Sequence, residues 1–319
     1  MRCVAAYAFA VSVSLTTAAF AQGQTAPVDV AQIRKAAPGP ALASPSAFAA
    51  PIPTAPAATC PGNPHALGVA RVVEIDTNGG PGFGFEHFRA HDFLRDKEVL
   101  LTFDDGPWPR STPAVLAALA AQCVKATFFP IGKHATNHPE IIKKVAADGH
   151  TIGSHTWSHQ NLEKLSVQEA MDEIEKGVSA VRLAVGGPTA PFFRFPALRH
   201  PPELVKYLGE RNIGIFSTDM DSFDFKIRKP DQVVASVMAK LKKSGKGIVL
   251  MHDFQPHTAD ALPELLKQLK AEGYRVVHMK AKDPVGTIAK YDEQVRGEQK
   301  LPTLSERPTS SVVRTITGD

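Results

Sequence analysis

Two adjacent carboxylates, Asp104 and Asp105, lie where an apolar run meets a Gly-Pro pair in the stretch EVLLTFDDGPW. The apolar run is typical of a buried strand, and Gly-Pro is typical of the turn that ends one. Side chains diverge at a strand end, so one carboxylate can bind a cation while its neighbour faces the reacting atoms. We assign the cation to Asp105 and the role of general base to Asp104. The alternative, a turn or helix cap, would need only one carboxylate.

Two histidines, His155 and His159, have the spacing that places both imidazoles on one face of a helical turn. The spacing alone is a weak signal, because surface histidines often share it. Together with Asp105, however, they form a set of two imidazoles and one carboxylate that suits a divalent ion such as Zn²⁺ or Co²⁺. Three protein ligands leave one coordination position open, which is typical of catalytic rather than structural metal sites.

Further polar groups follow apolar runs and complete a candidate hydrolytic site. His252 ends the run GIVLMH and is either a histidine satisfied at the edge of the core or a general acid facing the metal. As an acid it needs a carboxylate that raises its pKa, and Asp221 and Asp224 are both candidates. Arg194 in FFRFPALRH either holds Asp104 ionised or extends its aliphatic stem along apolar surface.

Apolar runs and helical patterns alternate along the middle of the chain. Runs typical of strands lie at 98–103, 126–130, 150–153, 191–195, 214–218, 247–251 and 274–278, with a peripheral strand at 69–75. Helical patterns lie at 112–122, 138–148, 166–185, 201–211, 230–243 and 260–272, and a capping box, SVQE, opens the third. This alternation indicates an α/β fold of parallel strands, either an open doubly wound sheet or a barrel. About seven strands in a single catalytic domain favour a distorted (β/α) barrel, closed or incomplete.

The candidate residues fall where such a fold brings side chains together. In parallel α/β folds, functional groups lie on the loops that follow the carboxyl ends of the strands. The carboxylate pair follows the first predicted strand, the two histidines follow the third, Arg194 lies at the end of the fourth, the aspartates follow the fifth and His252 follows the sixth. Trp108 and Trp157 flank the metal segments and either offer stacking surfaces to sugar rings or belong to the core.

Composition and charge exclude some classes of protein. The chain has 319 residues, 43% hydrophobic and 21% charged, which is typical of a soluble globular protein. Its net charge of +4 is small and evenly spread, without the basic runs and interleaved aromatic residues of a nucleic-acid-binding protein. We therefore expect no nucleic-acid partner.

The first 65 residues are predicted to lie outside the catalytic domain. Residues 1–21 combine a positive Arg2, a short apolar stretch and a small-residue site ending at Ala21, which indicates a signal peptide and export to the periplasm or beyond. A membrane anchor suits this short Ala/Ser-rich stretch less well, and we expect no stable membrane span after cleavage. Residues 22–65 are rich in Ala and Pro and are typical of a linker. The catalytic domain is predicted at 66–284, and a loosely packed polar tail at 285–319.

Cleavage would leave two cysteines, Cys60 and Cys123. In an oxidising compartment they either pair or remain two inert thiols, and their spacing favours neither alternative. Neither cysteine has the spacing of a metal site.

The segments TFDDGP, HTWSH, RFPAL, DMDSFDF and LMH, in this order, closely resemble the five motifs of the polysaccharide deacetylase family, which has a NodB-homology domain and is also called carbohydrate esterase family four. The resemblance covers residues 98–278, and the first, second and fifth motifs are nearly complete. It implies a distorted (β/α) barrel, a divalent metal cofactor and the removal of acetyl groups from N-acetylated sugars, or less often of O-acetyl groups from xylan. Carried over by motif, it implies Asp104 as general base, His252 as general acid, and metal ligation by Asp105, His155 and His159.

The resemblance also implies roles for residues around this centre. Arg194 would be the partner of the base and Asp224 the residue that tunes the acid. Leu250 would line the acetyl pocket, and the backbone N–H of Ala197 would help hold the oxyanion. Two departures concern the substrate pocket: Ala197 stands where the family usually has an aromatic residue or glycine, and Phe225 stands where it usually has tryptophan.

These features together predict a metal-dependent hydrolase that removes N-acetyl groups from an extracytoplasmic polysaccharide of the chitooligosaccharide or peptidoglycan type. One alternative is an esterase that acts on O-acetyl groups of a xylan-type polymer. Another is a carbohydrate-binding protein without activity, although a protein that only binds has no need of both a base and an acid.

Overall fold

A computed structural model of the chain describes residues 60–299. The predicted signal peptide, most of the predicted linker and residues 300–319 of the predicted tail lie outside the described residues. Within the described part, no helix is long and apolar enough to cross a membrane.

Strands and helices alternate along the described residues. The strands are β1 (Arg71–Ile75), β2 (Gly82–Phe83), β3 (Glu98–Asp104), β4 (Thr127–Phe129), β5 (Thr151–Ile152), β6 (Phe192–Phe193), β7 (Gly214–Phe216), β8 (Met220–Asp221), β9 (Gly247–His252) and β10 (Arg275–Ala281). The α-helices are α1 (Ser111–Ala121), α2 (Gly132–Asn137), α3 (Pro139–Ala147), α4 (Val167–Val185), α5 (Pro202–Glu210), α6 (Pro230–Ser244), α7 (Pro256–Ala271) and α8 (Ala289–Gln299). All of the predicted strands and helices are therefore confirmed.

All strand pairs are parallel, and β3 lies at the centre of the larger sheet. β9 pairs with one side of β3, while β10 pairs with the first residues of its other side and β4 with the last. The neighbouring strands β1, β5 and β8 extend this sheet to seven strands. A second sheet has the order β2-β7-β6, and a single bridge between Ser154 and Phe193 links the two. Within residues 60–299, β7 and β8 do not pair, so the predicted distorted (β/α) barrel is present in its incomplete form.

The core explains why β3 can carry two carboxylates at its end. Every residue of β3 is buried, because β3 is paired on both sides and its faces are covered by other elements. Buried residues of α1, α6 and α7 pack with those of β3 in the largest cluster. A strand held in this way positions the groups at its carboxyl end with little freedom.

Sequence patterns missed α2, β2, β8 and α8, and the last of these corrects a prediction. α8 packs on α4, where its Val295 is fully buried beside Trp157 and Ala180. Tyr291 of α8 is 5% exposed and donates a hydrogen bond to Asp172. The expectation of a loosely packed tail is therefore wrong for residues 289–299, because a few apolar anchors are enough to dock an otherwise polar helix.

The structure also decides between the two alternatives for the cysteines. Cys60 and Cys123 form a disulfide bond, with a sulfur–sulfur distance of 1.98 Å. Nearby, the Asn63 side chain donates a hydrogen bond of 2.9 Å to the carbonyl of Ala121. The end of the predicted linker is thus fastened to the carboxyl end of α1.

Candidate active site

The two carboxylates at the end of β3 differ in backbone conformation. Asp104 is the last residue of the strand, is 2% exposed, and lies opposite His252 in the register of β3 and β9. Asp105 has left the strand with a φ of 73°, a left-handed conformation that few non-glycine residues adopt. Its backbone is held on both sides: its N–H donates to Phe129, and its carbonyl accepts a 2.6 Å hydrogen bond from His134 Nδ1. The two carboxylates nevertheless share one neighbour, because His155 Nε2 lies 4.0 Å from Asp104 Oδ2 and 3.4 Å from Asp105 Oδ1.

Asp105, His155 and His159 lie together, although residues 155–159 do not form the helical turn from which their spacing was interpreted. Asp105 Oδ1 lies 3.4 Å from His155 Nε2 and 3.5 Å from His159 Nε2, and the three potential ligand atoms all lie within 4.8 Å of one another. Within the described part of the chain, Asp105 Oδ1 is buried and has no hydrogen-bond partner. A buried carboxylate oxygen without a partner is costly unless a cation satisfies it. These residues therefore fit a divalent metal ion.

The two imidazoles are held differently. His155 is buried, and its Nδ1–H donates a 2.7 Å hydrogen bond to the carbonyl of Arg194, which leaves the lone pair of Nε2 for a ligand. Burial lowers the pKa of His155, against the opposing effect of the nearby Asp104 and Asp105, so this imidazole is neutral, the form that binds metals. His159, by contrast, has a side chain that is 39% exposed.

Arg194 is paired with Asp104 and does not extend along apolar surface. It is fully buried, and its Nη1 donates a 2.7 Å hydrogen bond to Asp104 Oδ1. The remaining donors reach Thr102 Oγ1 and the carbonyls of Phe216 and Ser217, at 2.8 to 3.0 Å. Because these groups fix the guanidinium, the orientation of the Asp104 carboxylate is fixed as well.

His252 is paired with Asp224 rather than with Asp221. Its Nδ1–H donates a 2.6 Å hydrogen bond to Asp224 Oδ1, and its backbone N–H donates to Asp224 Oδ2. Burial lowers the pKa of His252, but Asp224 outweighs burial and raises it to about 9. Burial likewise raises the pKa of Asp224, yet hydrogen bonds from His252 and Thr258 bring it below its ordinary value. Nε2 of His252 lies 3.9 Å from Asp105 Oδ2, so the imidazole faces the metal ligands.

Comparisons with known proteins show which family the chain belongs to. Residues 92–213 match the sequence profile of a family described as polysaccharide deacetylase. A peptidoglycan-N-acetylglucosamine deacetylase of Listeria monocytogenes is 37% identical over 185 residues, 57% of this chain and 38% of the relative. A chitooligosaccharide deacetylase of a Bradyrhizobium species is 30% identical over 199 residues, 58% of this chain and 90% of the relative. This chain belongs to the polysaccharide deacetylase family.

A solved structure extends the likeness to this deacetylase fold. A peptidoglycan deacetylase of Bdellovibrio bacteriovorus superposes with a TM-score of 0.61 at 36% sequence identity, covering 67% of this chain and 59% of that one. The chain spans well under half the length of the Listeria relative, 38%, so the likeness concerns the deacetylase domain.

The remaining predicted pocket residues lie at different depths. Leu250 is buried in β9, two residues before His252. Phe225 is 41% exposed with its ring 5.8 Å from that of His252, and Trp108 is 45% exposed against the ring of His134. Ala197 is exposed and has a φ of 53° within a 3₁₀ turn.

Trp157 and Asp221 make contacts other than those considered for them from the sequence. Trp157 is 8% exposed and packs under α8, which decides its two alternatives in favour of the core. Asp221 accepts a 2.8 Å hydrogen bond from the backbone N–H of Phe223 and so closes a local turn.

Sequence patterns gave no role to two residues that hold the site. His134 supports Asp105, but it lies on the short helix α2, which no pattern indicated. Asp253 is 1% exposed and accepts hydrogen bonds from Gly106 N–H at 3.1 Å and from Thr112 Oγ1 at 2.5 Å. Its position next to His252 in LMHDF was the available signal, because a second charged residue after a buried strand needs partners of its own.

Proposed function

We propose that this protein is a metal-dependent hydrolase that removes N-acetyl groups from a polysaccharide of the chitooligosaccharide or peptidoglycan type. The observation that carries the proposal is the unpartnered Asp105 Oδ1 between two histidine Nε2 atoms, flanked by the Asp104–Arg194 and His252–Asp224 pairs. The names of the relatives, which act on such glycans, support the same substrate class.

We assign the metal to Asp105, His155 and His159, with zinc as the preferred ion because the donor set is two imidazoles and one carboxylate. When bound, such an ion supplies Lewis-acid chemistry, polarising the acetyl carbonyl and acidifying water. The neutral state of His155 suits ligation, because only the unprotonated ring nitrogen has a lone pair to offer.

The two hydrogen-bonded pairs then divide the proton transfers. Asp104, oriented by Arg194, accepts a proton from the water that attacks the acetyl carbon. His252, protonated because of Asp224, donates its Nε2 proton to the leaving amine. The two groups lie opposite each other at the ends of β3 and β9, so base and acid can act on the two sides of one amide.

The pocket residues receive their roles within the same proposal. Leu250 lines the space for the acetyl methyl group, and the exposed backbone N–H of Ala197 helps hold the oxyanion. Phe225 and Trp108, both large and exposed beside site residues, offer rings on which sugars stack. We further propose that residues 66–284 contain the catalytic domain and that residues 1–21 direct export, after which the protein acts in the periplasm or outside the cell.

The direct test is the release of acetate from N-acetylglucosamine oligomers and from peptidoglycan by the purified protein. We expect chelation to abolish release, Zn²⁺ or Co²⁺ to restore it, and Asp104→Asn to reduce it by about 10²-fold or more, since general-base catalysis contributes about 10²–10⁴. Asp260→Asn is the control, because Asp260 is exposed on α7 and its loss removes one carboxylate without touching the candidate site.

Two results would contradict the proposal. Faster release from acetylxylan than from N-acetylated sugars would identify an O-acetyl esterase. Sugar binding that Asp104→Asn leaves unchanged, with no turnover by the unaltered protein on any of the three polymers, would identify an inactive carbohydrate-binding protein.

A further inference from the structure

The segment that carries both histidines has left its strand before it reaches them. β5 ends at Ile152, and residues 155–161 form neither helix nor strand. Thr156 and His159 have φ values of 67° and 59°, in the left-handed region that side chains with a Cβ avoid. Such conformations persist only where the surroundings fix them. The contacts that fix this segment therefore bear directly on the metal site.

The three proposed ligands are not supported equally. Asp105 is held at both its N–H and its carbonyl, and His155 is held through its Nδ1–H. Within residues 60–299, the ring of His159 makes no such hydrogen bond, and its backbone N–H donates to Thr156 Oγ1 at 3.0 Å. The position of His159 thus depends on the backbone around it.

Glu173 of α4 forms hydrogen bonds to the residues on both sides of His159. Its carboxylate accepts hydrogen bonds from Ser158 N–H at 2.9 Å, from Ser158 Oγ at 2.9 Å and from Gln160 Nε2 at 3.1 Å. Its backbone carbonyl accepts a further 2.9 Å hydrogen bond from Trp157 N–H. Glu173 is only 9% exposed, so these groups replace the water that a carboxylate otherwise requires.

The helix approaches the segment closely enough to make this support rigid. One turn after Glu173, a Cβ on Gly177 would lie 2.4 Å from the carbonyl carbon of Thr156. No side chain larger than that of glycine fits there without displacing the backbone. Residues 156–160 therefore pack closely against α4 at Gly177 and form hydrogen bonds to it at Glu173.

We propose, on the basis of the metal centre proposed above, that Glu173 is a positioning residue for that centre. Its carboxylate fixes residues 157–160 so that Nε2 of His159 stays within reach of the ion that Asp105 and His155 bind. A glutamine reproduces this only in part, because it is neutral, has one acceptor oxygen for the Ser158 N–H, and forces the Gln160 amide to turn so that its oxygen accepts from the new NH₂ group. The residue touches neither the ion nor the substrate and acts only through His159.

The chain offers a matched control on the same helix. Glu175 is fully buried two residues further along α4, and its carboxylate accepts hydrogen bonds from Tyr207 Oη and from Arg211. It joins α4 to α5 and makes no hydrogen bond to residues 155–160 in the described part of the chain. Glu175→Gln therefore disturbs a buried carboxylate of α4 without disturbing the metal segment.

The experiment measures the Zn²⁺ dissociation constant of the full chain by competition with a chromophoric chelator, in the absence of any glycan. We expect Glu173→Gln to weaken zinc binding by about 10- to 100-fold, the range found when residues that support metal ligands are altered. We expect Glu175→Gln to bind zinc as the unaltered protein does, although it lowers the melting temperature of the metal-free protein.

The outcomes separate this inference from the proposed function. Unchanged zinc affinity in Glu173→Gln, or equal losses in both variants, would overturn the role of Glu173. If Glu173→Gln does not fold, Ser158→Ala, which removes one of the donors, must show a smaller loss of affinity in the same direction, and an unchanged affinity would overturn the role. Zinc binding that depends on Glu173 in a protein that releases no acetate would support this role and contradict the proposed reaction.

Discussion

Two neighbouring aspartates contact different partners here, and their backbone conformations differ. Asp104 keeps the strand conformation and faces Arg194, whereas Asp105 has a φ of 73° and faces the two histidines. A left-handed residue at the end of a strand turns its side chain out of the alternation that the strand imposes. The arrangement depends on that turn, and the hydrogen bonds to Phe129 and from His134 preserve it.

The ion pair of His252 and Asp224 leads to a prediction about pH and stability. The pKa of His252 in the folded protein, about 9, lies above its ordinary value of 6.5 because of Asp224. A group with a raised pKa stabilises the folded state fully below its unfolded value, and that contribution is lost as the pH rises through the folded value. We therefore expect the free energy of unfolding of the metal-free protein to fall between about pH 6.5 and pH 9, by a contribution on the order of 3 kcal/mol at about 1.4 kcal/mol per pKa unit.

Urea unfolding at several pH values in the presence of a chelator checks this. In Asp224→Asn the decline should be smaller, because burial lowers the pKa of His252 and only Asp105 and Asp104 then oppose it. For the catalysed reaction, the same variant should move the alkaline limit of activity to lower pH, since the proposed acid must be protonated. An unshifted alkaline limit would rule out His252 as that acid.

At the scale of elements, a helix that packs on the sheet is easier to predict from sequence than a helix that packs on another helix. α6 and α7 cover the sheet with several buried residues each, and patterns in the sequence indicate both. α8 docks on α4 through two buried side chains, Tyr291 and Val295, within a sequence of mostly polar residues. Its position therefore depends on the apolar surface of α4 and Trp157, against which Val295 packs.

The docking of α8 gives a prediction at this scale. Val295 is fully buried against Trp157, whose segment carries the two histidines. We expect Val295→Ala to lower the free energy of unfolding by about 1–3 kcal/mol, because it removes buried methyl groups and leaves a cavity. Glu293→Ala, on the exposed face of the same helix, should change it by less than about 0.5 kcal/mol. Equal effects in thermal or urea unfolding would show that α8 does not pack as described.

At the scale of the whole molecule, the described chain is fastened near its beginning by the disulfide. The bond joins residues 63 positions apart, across β1, β2, β3 and α1. Closing a loop of that length lowers the conformational entropy of the unfolded chain. The chain-entropy relation gives a stabilisation of the folded state by about 4 kcal/mol. β3, which ends at Asp104, lies within this loop.

Reduction of the disulfide tests its contribution. We expect the double variant Cys60→Ser, Cys123→Ser to lose about 2–5 kcal/mol in free energy of unfolding, the usual cost of removing a native disulfide. Treatment of the unaltered protein with a reductant should lower its melting temperature in the same direction and leave the double variant unaffected. A reductant effect on the double variant would show that the stabilisation has another source, since no third cysteine lies in residues 60–299.

The sequence by itself determined most of the elements and the chemical types at the site. Apolar runs of strand length, turn residues after them and the capping box at Ser166 act locally, so they are legible without a structure, and they located every strand that carries a site residue. The five motifs likewise named the groups that meet at the carboxyl ends of those strands.

Only the tertiary structure decided which of those groups pair and what holds them. Asp221 and Asp224 are equivalent in sequence, and the pairing of β8 and β9 with the turn that follows decides that Asp224 meets His252. Glu173 and Glu175 both lie inside a helical pattern, and only packing shows that one supports the metal segment and the other supports α5. The docking of α8 and the disulfide were open for the same reason. These contacts join residues far apart in the chain, and their free energies depend on burial and geometry that exist only after the chain has folded.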